Sequence, residues 1–281
     1  MDAQQFLGLT PSHNPYRWHL EVNQGLSTAG GFLFGGCGLG AAIGALEGTT
    51  GRPLVWATAQ YLSYAKPPSV LDIDVDIVVD GRNSTQARAT GRVADREILT
   101  VNAALGSRPL DIDQTFVTPL EVPPPEQCDP RPLRIPGEES IMSRLELRLA
   151  KARTWEDLRG NPVENGHSAL WARIPELLEP SAATLAILGD YVPFGIGQAI
   201  GAFAGGNSLD NTLRIRRIVP TEWILLDIQV DGIANGFGHG TVHLYAQDGT
   251  LMASASQSTI VRFWEAENPG IRPGAIREDQ P

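Results

Sequence analysis

The chain has 281 residues, of which 42% are apolar and 19% charged, with a formal net charge of −10. That is enough apolar material for one large core or two ordinary ones. The acidic balance excludes generic nucleic-acid binding, which needs a basic face, and the two cysteines, Cys37 and Cys128, lie in unlike surroundings, predicting free thiols and a reducing, cytoplasmic setting.

The N-terminus, Met1-Asp2-Ala3-Gln4-Gln5, shows no basic-then-apolar secretory pattern, and residues 1–16 read as an irregular start. Trp18–Val22 alternates in polarity, as a short strand does. A long uncharged run then extends from Leu26 to Leu46, with glycines every fourth residue at Gly36, Gly40, Gly44 and Gly48. Positions four apart share one helix face, and each interior glycine costs a helix roughly 0.5–1 kcal/mol relative to alanine. A stripe of them predicts the close approach of another backbone. An uncharged stretch of about 20 residues with small-xxx-small spacing also has the form of a membrane helix. This one is rich in glycine and poor in large aliphatics, so we read it as a helix buried in a core, with no membrane span. Thr49-Thr50-Gly51-Arg52-Pro53 ends it with turn chemistry.

From Leu54 the period changes to two. Leu54–Ala65 reads as a strand stopped by Lys66-Pro67-Pro68. In Leu71–Val79 the residues Leu71, Ile73, Val75, Ile77 and Val79 face one way, and Asp72, Asp74 and Asp76 the other. That alternation explains the aspartates as a solvated face rather than a calcium loop, whose glycine and terminal glutamate are missing. Asp80-Gly81 reads as a hairpin turn, followed by strands at Gln86–Val93 and Ile98–Leu105. Eight prolines between Pro109 and Pro136 predict a stiff linker. The chain therefore divides into residues 1–108, a linker at 109–139, a second unit at 140–267 and a loose tail at 268–281.

In the second unit, Leu145–Leu149 and Ala169–Ile174 read as strands, Ser181–Tyr191 as a helix and 192–205 as a second glycine helix. Thr212–Val219, Trp223–Val230, His239–Ala246 and Leu251–Arg262 follow as strands. Gly38–Leu46 matches Gly195–Phe203 at six of nine positions, 157 residues apart. Setting Asp80-Gly81 against Asp231-Gly232 gives an offset of 151, which also pairs Lys66 with Arg217 and Thr90 with Thr241. Two copies point to a duplicated domain rather than a solenoid. One apolar helix stripped to glycine and followed by an antiparallel sheet, twice over, is the α+β double hot-dog arrangement.

Motifs in this frame resemble those of the acyl-CoA thioesterase II family: Phe34-Gly35-Gly36 at the helix mouth, Val79-Asp80-Gly81-Arg82, Ser208-Leu209-Asp210-Asn211, and Asp248-Gly249 followed by Leu251–Gln257 and Val261-Arg262. The likeness runs from about residue 18 to about residue 264. It implies hydrolysis of fatty acyl-CoA by an activated water, with coenzyme A entering as part of the substrate and no other cofactor or metal. By the resemblance, the catalytic aspartate falls on Asp210 and the catalytic glutamine on Gln257. The family's hydroxyl falls near Val230-Asp231, where none is present, so Asp231 is the candidate to stand in as a protonated donor. Cys37 occupies the place of a glutamine and Asn211 that of a histidine.

The N-terminus of a glycine helix offers free N–H groups, making Gly35, Gly36 and Cys37 the expected oxyanion and substrate contacts. Without the resemblance, Asp210 reads as a turn or cap, Asp231-Gly232 as a hairpin, Gln257 as an ordinary sheet residue and Cys37 as a small core residue. Arg214, Arg216 and Arg217 are candidates for coenzyme A phosphates or, equally, an ion-paired surface. His239 and His243 lack the helical spacing of a zinc pair. Two other readings stand beside hydrolysis. One is a non-catalytic acyl-thioester binding protein. The other is an enoyl or hydroxyacyl thioester hydratase, whose Asp-x-Asn-Pro-x-His loop His13-Asn14-Pro15 only partly matches. Exposed sheet edges predict a homo-oligomer.

Overall fold

The computed structural model describes all residues except 132–136, 138, 155, 159, 178 and 264–281. The expected tail therefore lies outside the described residues. The first half contains α1 (Ala3–Leu7), β1 (Leu9–Pro11), β2 (Arg17–Val22), α2 (Gly35–Thr50), β3 (Leu54–Tyr61), β4 (Ser69–Asp80), β5 (Ser84–Val93) and β6 (Arg96–Gly106). After the proline-rich segment come β7 (Asp129–Pro130), β8 (Glu146–Lys151), β9 (His167–Arg173), α3 (Ala182–Leu188), α4 (Val192–Ile200) and β10 (Ala204–Ser208). The chain closes with β11 (Asp210–Ile215), β12 (Ile224–Ala234), β13 (Phe237–Ala246) and β14 (Leu251–Phe263).

All fourteen strands join one antiparallel sheet in the order β1-β2-β4-β5-β6-β3-β11-β14-β13-β12-β9-β8-β7, with β10 added along β14. Outward from the β3–β11 seam six strands correspond on each side, with β7 and β10 extra in the second half, the mark of two copies related by a pseudo-two-fold axis. At the seam, Thr58 and Thr212 face each other in register and their hydroxyls bond at 3.0 Å. Period-two burial builds the sheet: Leu71, Ile73 and Val75 of β4 are buried, while Asp72 and Asp74 turn out to pair with His19 and Arg17 at 2.6 Å each. The alternation ends early. A bulge between Ile77 and Val79 lifts Val79 into solvent, where it is 54% exposed.

The glycine stripe of α2 does what its spacing predicts. A Cβ at Gly36 would stand 2.8 Å from the Ile187 Cα, and one at Gly40 3.1 Å from the Ala183 carbonyl, so α3 lies backbone-to-backbone on this face. Gly44 and Gly48 make the same room for Leu9 and Trp18. Gly51, at φ 64°, closes the helix in the left-handed region that favours glycine.

Four expectations are corrected. Residues 1–16 are not irregular: Asp2 and Gln5 form a capping box for α1, and β1 follows. The second glycine helix ends at Ile200, because Gly201 turns left-handed at φ 63° and residues 204–208 join β14 instead. Asp231-Gly232 is a bulge inside β12, not a hairpin, and the turn falls at Asn235-Gly236, both at positive φ. The proline-rich segment is more than a spacer, since Leu120, Val122 and Cys128 pack on Trp171, Trp223, Leu225 and Tyr245 of the outer sheet face. By length and composition Ala182–Ile200 is apolar enough to cross a bilayer, yet most of it is buried inside this fold.

Candidate active site

Between Glu179 and Asp210 the chain carries one charged residue, Asp190. Ser181 caps α3 by accepting the Thr184 N–H at 3.1 Å, and Gly189 ends it. Pro193 then opens α4 in a new direction, at a position where a missing N–H is harmless. Asp190 sits in the break between the two helices, 6% exposed, on the wall of a half-open cavity.

Three donors converge on its carboxylate. The Gly36 N–H, in the first turn of α2, donates to Oδ2 at 2.6 Å. Gln257 Nε2 donates to Oδ1 in a short bond, and the Ser208 hydroxyl donates to the same oxygen at 3.3 Å. The amide orientation of Gln257 is fixed from behind: its Oε1 accepts the Val192 N–H at 3.1 Å, so Nε2 must face Asp190 and the Ser208 oxygen, 3.0 Å away. The positive end of α2 also points at the carboxylate. Burial nevertheless dominates and raises the Asp190 pKa from 3.8 to about 6, with the bonds from Gln257, Gly36 and Ser208 holding it down.

The cavity has a volume of about 290 Å³ and is mostly apolar, walled by Phe32, Phe34, Tyr64, Met142, Tyr191 and Phe194. Its polar lining includes Asp190, Ser208, Tyr61 and Ser63, together with Thr28, Asn207, Arg131 and Arg262. Such a space takes an aliphatic chain and brings its polar end to a buried carboxylate.

The residues expected from sequence are only partly brought together. Gln257 and Gly36 meet, but on Asp190. Asp210, at the start of β11, accepts the Ser258 N–H at 2.8 Å and forms no bond with the Gln257 side chain. Asp231 is exposed at its bulge and does not join the cluster. Cys37 is fully buried, its N–H is taken by the Phe34 carbonyl at 3.0 Å, and burial together with Asp190 pushes its thiol far above the ordinary range, which leaves it a core residue rather than a nucleophile. Gly35 lines the cavity, and its N–H has no partner among the described residues. Arg216 and Arg217 are both held by Asp113 of the proline-rich segment, outside the cavity. Among the described residues no cluster of three or more His, Cys, Asp or Glu could hold a metal ion.

Asp190 was the residue sequence reasoning missed. The clue was available: a lone carboxylate in an otherwise uncharged apolar run, placed where one helix stops and the next begins.

A duplicated hot-dog whose cavity ends on a buried carboxylate, an amide, a hydroxyl and a helix N-terminus defines a thioester-processing hot-dog enzyme. The family model for the acyl-CoA thioesterase C-terminal domain matches residues 125–261, a span that contains Asp190, Ser208 and Gln257. A structure provisionally assigned as a thioesterase, from Novosphingobium aromaticivorans DSM 12444, is 31% identical, with a TM-score of 0.80, covering 90% of this chain and 97% of that one. The chain belongs to the acyl-CoA thioesterase II family and is a thioester hydrolase acting on acyl-CoA. The same fold is found in a hot-dog protein of unknown function from Alicyclobacillus acidocaldarius, 18% identical at TM-score 0.81, covering 93% of this chain and 98% of that one. It is found again in an acyl-CoA thioesterase II from Mycobacterium marinum, 18% identical at TM-score 0.70, with coverages of 93% and 98%. No curated protein sequence matches the chain.

Proposed function

We propose that hydrolysis runs on Asp190 as general base, with Gln257 and Ser208 fixing its carboxylate toward the attacking water and the apolar cavity holding the acyl chain. The observation that carries this reading is the convergence of Gly36, Gln257 and Ser208 on one buried carboxylate at the cavity wall. A carboxylate with a pKa of about 6 is ionised at neutral pH yet basic enough to take a proton from water. The water oxygen bonds to the thioester carbon as its proton passes to Asp190. The tetrahedral intermediate then expels the thiolate, which regains that proton from the Asp190 carboxyl, leaving free acid and coenzyme A. Asp210 has the supporting part in this scheme, pinning β14 through Ser258 beside Gln257.

The cavity-lining Arg262 is the cation we assign to the coenzyme A side of the substrate; among the described residues it makes no ion pair. A cytoplasmic, homo-oligomeric protein is part of the same reading, supported by two buried free thiols and by the outer strand β1 at one end of the sheet. The test is thiol release from a panel of acyl-CoAs by wild type, Asp190→Asn and Asp210→Asn. Loss in the first variant with activity kept within about tenfold in the second supports the assignment. The reverse pattern overturns it and returns the base to Asp210.

A further inference from the structure

Two buried side chains, Tyr61 and Asn211, have no hydrogen-bond partner among the described residues. The Tyr61 hydroxyl, at the end of β3, is shielded from solvent and makes no hydrogen bond, and both polar atoms of the Asn211 amide are in the same condition. Asn211 is only 1% exposed. Leaving a buried polar group unpaired costs about 1–3 kcal/mol, so two of them call for an explanation.

The surroundings supply one. Tyr61 lines the same cavity as Asp190. At the mouth of α2, a Cβ on Gly35 would stand 2.7 Å from Asp190 Oδ2, 3.0 Å from Tyr61 Cζ and 3.1 Å from Tyr61 Oη. The carboxylate and the phenol therefore flank one point, and only a glycine leaves room between them. The third polar group there is the Gly35 N–H, itself without a partner among the described residues.

We propose that Tyr61 is a catalytic residue that donates its hydroxyl hydrogen bond to the thioester carbonyl oxygen, and to the oxyanion formed when water attacks. No proton is transferred by Tyr61: the water's proton goes to Asp190, and the oxyanion's charge is shared through the Tyr61 O–H bond until the C–S bond breaks. Burial and the nearby Asp190 and Asp210 carboxylates hold the phenol well above its ordinary pKa, so it remains a donor throughout the working range. Its carbonyl-binding part does not require that the chain hydrolyse anything, although the oxyanion part rests on the function proposed above.

Tyr61→Phe removes one oxygen atom and keeps the ring. Hydrolysis is expected to fall about 100-fold to 1,000-fold in kcat, the usual loss for one oxyanion donor, with KM within a few-fold and the melting temperature unchanged or higher. A kcat within threefold of wild type overturns the proposal. A second measurement separates this from hydrolysis itself. Two inert acyl-CoA analogues are compared, one a ketone that keeps the carbonyl and one a plain thioether that lacks it. Wild type is expected to prefer the ketone, with the bound carbonyl stretch shifted to lower frequency, and Tyr61→Phe to lose both effects. Equal preference and an unchanged stretch in the two proteins would overturn the role of Tyr61. A Tyr61-dependent preference in a wild type that releases no thiol upholds carbonyl recognition and refutes only hydrolysis.

Discussion

The Gly36 N–H and the Asp190 carboxylate are bonded to each other across 154 residues, the same separation that joins Thr58 to Thr212 at the sheet seam. One offset thus maps glycine onto aspartate at the point where the two copies meet. The first copy contributes a helix N-terminus and the second an anion to fill it. Because a Cβ at Gly36 would also press on the Ile187 backbone at 2.8 Å, Gly36→Ala is expected to part α2 from α3. The cost is about 1–3 kcal/mol, typical of overpacking, read as a lower denaturation midpoint, together with a large loss of thiol release.

The acid limb of the rate profile is a second expectation. With Asp190 titrating at about 6, kcat/KM should fall about tenfold per pH unit below that value and level off above it. The Gln257 bond holds this pKa down, so Gln257→Ala is expected to move the limb to higher pH as well as lower the plateau. A limb that stays in place in the variant, measured from pH 4.5 to 8, would separate Gln257 from the base.

The same titration reaches stability. Asp190 keeps its proton to a higher pH in the folded chain than in the unfolded one, where its ordinary value is 3.8. Between about pH 4 and 6 the folded state therefore binds more protons, and this residue's contribution to stability falls as pH rises. Above about pH 6 the penalty is complete, about 3 kcal/mol for a shift of this size. Urea melts across that window should show wild type losing ground to Asp190→Asn as pH increases. Parallel curves would show that the carboxylate is not desolvated.

Substrate charge gives a fourth. Arg216 and Arg217 are engaged by Asp113 on the outside of the molecule, whereas Arg262 lines the cavity. Arg216→Ala is expected to leave KM for acyl-CoA within about twofold, as surface ion pairs contribute little, and Arg262→Ala to raise it clearly. Steady-state kinetics on one acyl-CoA decides between them.

The sheet was legible because alternation is a local property: Leu71, Ile73 and Val75 declare a buried face whatever they pack against. The α2 stripe was legible for the same reason. The site was not, because it depends on a non-local match. The likeness of Gly38–Leu46 to Gly195–Phe203 suggests an offset of 157, while the bonded pairs Gly36–Asp190 and Thr58–Thr212 have 154. That three-residue slip is close to one helical turn, and it hides the correspondence of Gly36 with Asp190. The break after Gly189, which frees Asp190 from the helical run, follows from Pro193 and from packing on α2, and no periodicity announces it. Gln257 was found through resemblance. Ser208 was quoted as part of a motif but given no role, since a hydroxyl finds its work only when its neighbours are in place.

The duplicated sheet has one more consequence. Applied to the rest of the cluster, the 154-residue offset carries Gln257 onto Ala103 and Ser208 onto Leu54, and the ladders agree, since Thr212 pairs with Ser256 as Thr58 pairs with Asn102. The mirror position is thus furnished with glycine, alanine and leucine and has nothing to react with. A chain built from two like halves carries a single reactive centre, so an active-site titration should count one equivalent per polypeptide, and neither half expressed alone should turn over substrate.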